Sequence, residues 1–370
     1  MAYNDIKNVL PMFRFEGEYI DSRELTSGNI NETYVLEYRG NGRTNMYILQ
    51  KVNTYVFRDP LGVMQNIAAV TAHLKASLIK SGGSAERQVL ELVRTRNDDI
   101  VFQDRKLGVW RAYTYITKAL ALDQVTEPAQ MEEVGRAFGR FQRNLADFPA
   151  EALFETIPNF HHTTKRFYAF VRAVDEDKAG RAREVEEEIE FFFERRRMMG
   201  EIVRLLDCKV LPLRVTHNDT KSNNVLLDEE TGKSLAVIDL DTVMPGSSLY
   251  DYGDAVRFGA STAREDEEDT SLIGLDMEKT RAFTRGFVQE TAGILSVEEL
   301  SRLPLGVKVL TAELAMRFLT DYLDGDLYFK VNSPVHNLVR ARAQMALLMD
   351  VERREDELNE MVKRYITRYS

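Results

Sequence analysis

The stretch that decides the fold runs Val215-Thr216-His217-Asn218-Asp219-Thr220-Lys221-Ser222-Asn223-Asn224-Val225-Leu226-Leu227-Asp228. It continues through Glu229-Glu230-Thr231-Gly232-Lys233-Ser234 into Leu235-Ala236-Val237-Ile238-Asp239-Leu240-Asp241. The pattern is a polar loop, a short apolar strand, a tight glycine-containing turn and a returning strand. A hairpin of that length brings its ends together, so Asp219 and Asn224, ahead of the first strand, are expected beside Asp239 at the end of the second. Two carboxylates and an amide oxygen in one small volume are hard oxygen donors that suit magnesium. Phosphoryl transfer has a use for such a set. An aspartate orients the nucleophilic hydroxyl and accepts its proton, and Mg²⁺ offsets the charge that develops on the triphosphate oxygens. Asp219 is therefore assigned as the base, Asn224 and Asp239 as metal ligands, and Asp241 as a further metal contact. Each alone has an ordinary fate, Asp219 as a turn or helix cap and Asp239 as a strand-end turn residue. The signal lies in the combination of His-x-Asp-x-x-x-x-Asn with a hairpin and Ile-Asp. His217 reads as a structural loop residue rather than a general base.

Upstream of this segment the chain reads as strands. Thr33-Tyr34-Val35-Leu36-Glu37-Tyr38 alternates, Arg39-Gly40-Asn41-Gly42 is turn chemistry, and Met46 to Val52 is a return strand. Ile67, Val70, Leu74 and Leu78 predict a helix from Val63 to about Lys80, broken by Gly82-Gly83. Short strands are expected at Ile100-Val101-Phe102 and from Gly108 to Ile116. After about Thr117 helical patterns take over: Met131 to Asp147, Val185 to Leu206, Met277 to Thr291, Val307 to Asp324 and Val335 to Tyr369. The expected fold class is α+β, with a small β-rich lobe over residues 1–117 and a larger, mainly helical lobe over 118–370.

Composition removes several classes of function. The 370 residues are 44% apolar and 29% charged, the balance of a globular protein. Asp and Glu number 59 against 49 Lys and Arg, a net charge of −10, so no basic stripe for nucleic acid is expected. The one cysteine, Cys208, offers neither a disulfide nor a cysteine-based zinc site, and a reducing cytoplasm fits best. The start carries no signal-peptide pattern, and no uncharged run approaches the roughly 18 apolar residues of a membrane span. Glu184 to Arg197 reads as an amphipathic helix with a solvated face, and the acids from Glu265 to Asp269 as surface. His161-His162 is a poor metal pair, because neighbours on a regular element point different ways.

The 215–241 segment resembles the catalytic-loop motif of the aminoglycoside phosphotransferase and choline kinase superfamily. Further segments resemble the N-acetylhexosamine 1-kinases within it. They are Ile238 to Ser247, Asp251-Tyr252-Gly253-Asp254-Ala255-Val256-Arg257-Phe258-Gly259 and its continuation to Thr262, Met316-Arg317-Phe318-Leu319, Asp321-Tyr322-Leu323, Gly325-Asp326, Tyr328-Phe329 and His336 to Arg340. The similarity runs from near Gly28 to about Arg342. It implies a protein-kinase-like bilobal fold and an enzyme that uses ATP and Mg²⁺ to phosphorylate the anomeric hydroxyl of N-acetylglucosamine or N-acetylgalactosamine. It implies nucleotide contacts at Gly28, Asn29, Ile30 and Asn31, and at Tyr115 and Ile116. It also implies acceptor contacts at Arg317, Tyr328 and Phe258, and a bracing role for Asp251 with His217. The partners implied are ATP and a small neutral sugar, with no nucleic acid and no membrane.

Two features depart from the kinase pattern. The Ser27-Gly28-Asn29-Ile30-Asn31 turn has a single glycine where kinases carry several. Gln50 occupies the register of the strand lysine, Lys51 follows one place along, and the next helix shows no glutamate near Met64-Gln65-Asn66. The usual lysine–glutamate pair is thus expected to be missing. Two other readings stay open on sequence alone. One is a kinase for another sugar or an aminoglycoside; the other is a catalytically silent nucleotide-binding module. Arg257 and Arg317 favour a neutral acceptor over a polycation.

Overall fold

A computed structural model describes residues 2–25 and 30–369, the side chains of residues 2–5 excepted. In chain order the elements are α1 (Ala2–Val9), β1 (Glu18–Leu25), β2 (Glu32–Gly40), β3 (Arg43–Lys51), α2 (Pro60–Lys80), β4 (Leu92–Val93), β5 (Phe102–Asp104), β6 (Gly108–Thr114), β7 (Ala119–Ala121), α3 (Pro128–Asn144), α4 (Thr163–Glu176), α5 (Glu186–Met199), α6 (Glu201–Asp207) and β8 (Arg214–Thr216). There follow β9 (Val225–Asp228), β10 (Ser234–Val237), β11 (Met244–Gly246), α7 (Ser248–Gly259), α8 (Met277–Thr291), α9 (Val297–Leu300), α10 (Leu303–Asp324), α11 (His336–Arg353) and α12 (Glu355–Tyr369). The fold is mixed α+β. The chain divides into two compact units, the first of residues 1–120, 152–158 and 226–244, the second of residues 121–151, 159–225 and 245–370. Among the described residues no helix is long and apolar enough to cross a membrane.

In the first unit an antiparallel sheet runs β1-β2-β3-β6-β4, with β5 on β6. Strand alternation sorts its side chains. Tyr34, Leu36, Tyr38, Tyr47, Leu49, Trp110 and Ala112 share one buried face with Ile6, Val9, Leu10 and Phe13. The opposite face therefore carries Thr33, Gln50 and Arg111. A second, three-stranded sheet, β10-β9-β7, holds the hairpin. At its turn, Asp228 Oδ1 accepts from Glu230 N–H and Thr231 N–H, and Gly232 takes a left-handed φ of 66°.

In the second unit, α4, α5, α10 and α11 enclose a core of Phe170, Phe192, Ala315, Met316, Phe318, Leu319 and Leu348. Glycines set how near its helices come. A Cβ on Gly253 in α7 would lie 2.3 Å from the Gly306 carbonyl oxygen in α10, and one on Gly306 would lie 2.2 Å from the Leu249 oxygen. The pair α3–α8 repeats this: a Cβ on Gly135 would lie 2.3 Å from Phe283 O, and one on Gly286 would lie 2.3 Å from Glu132 O. Backbone cannot yield as a side-chain tip can, so Gly253→Ala should lower stability by about 3 kcal/mol. Urea unfolding followed by circular dichroism reads this directly, and an unchanged midpoint would contradict the packing described.

Several helices differ from the sequence expectation. The pattern from Val185 to Leu206 is two helices, because Gly200 ends α5, and that from Val335 to Tyr369 is broken at Arg354. Helix α7 was not expected at all. Its internal Gly253 is unfavourable in a helix, and only the close approach of α10 explains it.

Candidate active site

The loop of residues 217–221 lies in the second unit, between β8 and a 3₁₀ turn at Ser222–Asn224. It is held from outside by one face of α7. Asp251 accepts from His217 N–H at 3.0 Å, Asn218 N–H at 2.8 Å and Gln142 Nε2 at 2.7 Å. Asp254, three residues on and so on the same face, accepts from Thr220 N–H at 3.0 Å. The Thr220 hydroxyl donates to Asp251 O at 2.7 Å. The loop needs these anchors because its backbone is irregular: Asn218 has φ 64°, which no regular element would satisfy. Burial pushes the Asp251 carboxyl up, against the donors that surround it. For Asp254, burial acts the same way but is outweighed by Arg257 and Lys221, which hold it below the usual range.

This framework presents Asp219, which is partly exposed. Asn224 Nδ2 donates to Asp219 O at 2.8 Å and to Asp219 Oδ2 at 3.3 Å. The amide is thereby oriented with its nitrogen toward the aspartate, leaving Oδ1 as the acceptor end. Lys221 Nζ lies 2.9 Å from Asp219 Oδ1. Burial would lower the Lys221 pKa, but Asp219 outweighs it and the ammonium is held above its ordinary value. His217 is fully buried, with Phe138 and Phe141 edge-on to its ring, and its Nδ1 accepts from Asp219 N–H at 3.3 Å.

Also in the second unit, Arg317 on α10 stands among three rings. Its guanidinium carbon is 5.8, 5.7 and 5.5 Å from the centroids of Phe160, Tyr328 and Phe329. Tyr328 is 67% exposed, yet its backbone is fixed, since Asp321 accepts from the N–H groups of Leu327, Tyr328 and Phe329. Burial and the neighbouring Arg317 depress the Arg166 pKa to about 10. Glu313 is the buried counter-charge, 3.5 Å from Arg166 Nε and 2.9 Å from His161 Nδ1. His161 Nε2 in turn lies 3.4 Å from Asn218 O, which ties this cluster to the catalytic loop. Phe258 sits partly exposed near the end of α7.

The first unit carries Asp239, which has φ 58° and ψ 60°. It also carries Asp241, expected as a metal contact. Instead, both Asp241 oxygens are engaged within the protein. Arg111 Nη1 meets Oδ1, Arg111 Nη2 donates to Oδ2 at 2.8 Å, and Asn31 Nδ2 donates to Oδ2 at 2.7 Å. Asn31 Oδ1 accepts from Asn53 N–H at 2.9 Å, and Asn53 Nδ2 donates to Ile30 O at 3.3 Å. Gly28 and Asn29 lie outside the described residues. Tyr115 and Ile116 follow β6 directly, half-buried, and Tyr115 N–H donates to Met46 O.

The structure thus brings Asp219 together with Asn224, His217 and Asp251, Arg317 with Tyr328, and Asn31 with Asp241. Asp219 and Asn224 belong to the second unit, Asp239 and Asp241 to the first. Two readings change. Arg257 is spent on Asp254 and on Glu265, at 2.8 and 3.1 Å, so it offers an acceptor no spare charge and Glu265 is not merely solvated. His161 and His162 do separate tasks, the second capping α4. Sequence reasoning passed over Lys221, Arg111 and Glu313. Lys221 stood inside the decisive segment, whereas Arg111 and Glu313 gain meaning only from their partners across strands and helices.

The model of the phosphotransferase enzyme family APH matches residues 21–286. Among solved structures, a spectinomycin phosphotransferase in complex with ADP and spectinomycin is similar at a TM-score of 0.57 and 12% identity, covering 96% of this chain and 98% of that one. A choline kinase from Cryptosporidium parvum gives 0.55 and 14%, covering 99% and 100%. An ethanolamine kinase from Plasmodium vivax gives 0.55 and 14%, covering 88% and 82%.

Proposed function

Because the chain belongs to the phosphotransferase enzyme family, and is thus a small-molecule phosphotransferase of the aminoglycoside phosphotransferase and choline kinase superfamily, we propose that it transfers the γ-phosphoryl of ATP to the anomeric hydroxyl of an N-acetylhexosamine. The observation that carries the acceptor class is the charge of the Arg317 cluster. Two guanidiniums, Arg166 and Arg317, share one buried carboxylate, Glu313. That surplus positive charge repels a polycationic aminoglycoside. It suits a neutral sugar whose hydroxyl and acetamide oxygens accept hydrogen bonds from a guanidinium fork, while Tyr328 offers a ring face.

In this reading Asp219 orients the anomeric hydroxyl and accepts its proton as the sugar oxygen forms a bond to the γ-phosphorus. The bond from that phosphorus to the bridging oxygen breaks, and ADP leaves with the electron pair. Lys221 adds positive charge beside the reacting centre. Asn224 and Asp239 would hold Mg²⁺, which supplies charge compensation on the phosphate oxygens. An amide oxygen turned away from Asp219 and a carboxylate are suitable hard donors. Among the described residues no cluster of three or more His, Cys, Asp or Glu side chains could hold a metal.

A panel of acceptors with ATP, read by phosphorus NMR of the products, tests the proposal. N-acetylglucosamine or N-acetylgalactosamine should yield a sugar 1-phosphate, and spectinomycin, kanamycin and choline should yield no product. Transfer to one of those three, or to another sugar hydroxyl, would reject the acceptor assignment.

A further inference from the structure

The missing strand lysine leaves a question that the first unit answers. Gln50 on β3 stands directly opposite Arg111 on β6, while Lys51 stands opposite Trp110. Directly opposed residues share a face, so Gln50 and Arg111 point one way and Lys51 the other, where its ammonium lies 5.6 Å from the Trp110 ring centroid. Arg111 Nε donates to Gln50 Oε1 at 2.9 Å, and Gln50 Nε2 donates to Thr33 Oγ1 at 3.0 Å. Arg111 Nη1 also approaches Met64 Sδ on α2 at 3.7 Å. The guanidinium therefore sits between the strand position where a kinase keeps its lysine and the helix that would bring the glutamate.

Its charge is balanced by Asp241, two residues beyond Asp239, and both groups are almost wholly buried, at 2% and 5% side-chain exposure. Asn31, at the end of the turn before β2, holds the same carboxylate at 2.7 Å. One guanidinium thereby links β3, β6, α2, the Asp239–Asp241 segment and, through Asn31, the start of β2. Desolvation lowers the pKa of Arg111, but Asp241 chiefly, with Asp239 among the further causes, outweighs it and holds the group above its usual value. The cation stays charged at any working pH.

We propose that the Arg111–Asp241 pair replaces the lysine–glutamate pair of other kinases, with Arg111 a positioning residue that fixes the Asp239 segment for the metal–nucleotide complex. This rests on reading Asp239 as a metal ligand. A bidentate arginine on a buried carboxylate fixes orientation as well as charge, of which a lysine ammonium restores the charge. Asp241 is then absent from the metal shell because it is the anchor of its neighbour.

The test is calorimetric titration of the full chain with ATP, with and without Mg²⁺, alongside steady-state kinetics. Removing Arg111 alone strands a buried carboxylate, so the informative variant is R111M/D241N, which removes both charges. It should bind MgATP about 10- to 100-fold more weakly and lose a similar factor in kcat. Its affinity for metal-free ATP and its KM for the acceptor should stay within about threefold. Q50K/R111M, which returns a cation from the β3 register, should regain at least about tenfold of the lost MgATP affinity. The proposal is overturned if R111M/D241N binds MgATP within about threefold of the parent, or if metal-free ATP weakens equally. Folded Q50K/R111M that binds no better than R111M/D241N overturns it too. Nucleotide titration needs no acceptor, so these results stand apart from any failure of the sugar assignment.

Discussion

Asp219→Ala is expected to lower kcat by about 10²- to 10⁴-fold, the range a positioned general base supplies, while ATP binding stays within a few-fold of the parent. The structure gives the reason for both halves. The side chain is exposed enough to meet an acceptor, its own N–H is satisfied by His217 Nδ1, and the loop backbone is anchored by Asp251 and Asp254 rather than by Asp219. Truncation therefore removes the carboxylate without collapsing its surroundings. It also frees Lys221 Nζ and Asn224 Nδ2 from a partner carboxylate, so a modest change in nucleotide affinity of either sign is tolerable. A coupled ADP-release assay with calorimetry of ATP separates the two readouts. Turnover within tenfold of the parent would remove Asp219 from the role of base.

Asp251→Asn is expected to cost about a hundredfold in kcat and less than about 2 kcal/mol in stability. Two effects oppose one another in the fold. Burial pushes the Asp251 carboxyl up, so its negative charge is costly and a neutral amide relieves that cost. The amide, however, has one acceptor oxygen for three donors that now point at two. Its NH₂ must face either the Asn218 N–H or the pair formed by His217 N–H and Gln142. The loop is expected to shift at residues 217 and 218, next to Asp219, and misplacement by about 1 Å there is worth about 10²-fold. Thermal or urea unfolding beside kcat tests this imbalance. Full activity would show that the loop holds its shape without Asp251.

The fold was legible in sequence where periodicity was strong. The β2–β3 hairpin, α2, α3, α8 and α10 follow alternation or 3.6-residue spacing, and the 215–241 segment follows motif and turn chemistry. Legibility failed where a tertiary contact decides the local answer. Helix α7 contains glycines that its own propensity disfavours, and Gly253 is explained only by Gly306 fifty-odd residues away. In the candidate site, Asp219 and Asn224 were readable because their spacing alone places them on one tight loop. The pairing of Asp241 with Arg111 was not readable, because Arg111 lies on a distant strand and nothing in the sequence marks Gln50 and Arg111 as neighbours before β3 and β6 are paired.

The glycine contact between α7 and α10 has a consequence for how acceptor preference can drift in such a protein. Asp251, which accepts from the backbone of the loop that carries Asp219, lies on α7, and Arg317 lies on α10; at Gly253 and Gly306 the two helices meet with no side chain between them. Any slide of α10 that re-aimed Arg317 toward a new molecule would press on α7, the helix that anchors the Asp219 loop. Novelty is cheapest in the segment after Gly325, where the backbone of Tyr328 is held by Asp321 while its exposed ring meets only Arg317 and Phe329 among the ring contacts described, so exchanging it leaves the α7–α10 contact in place.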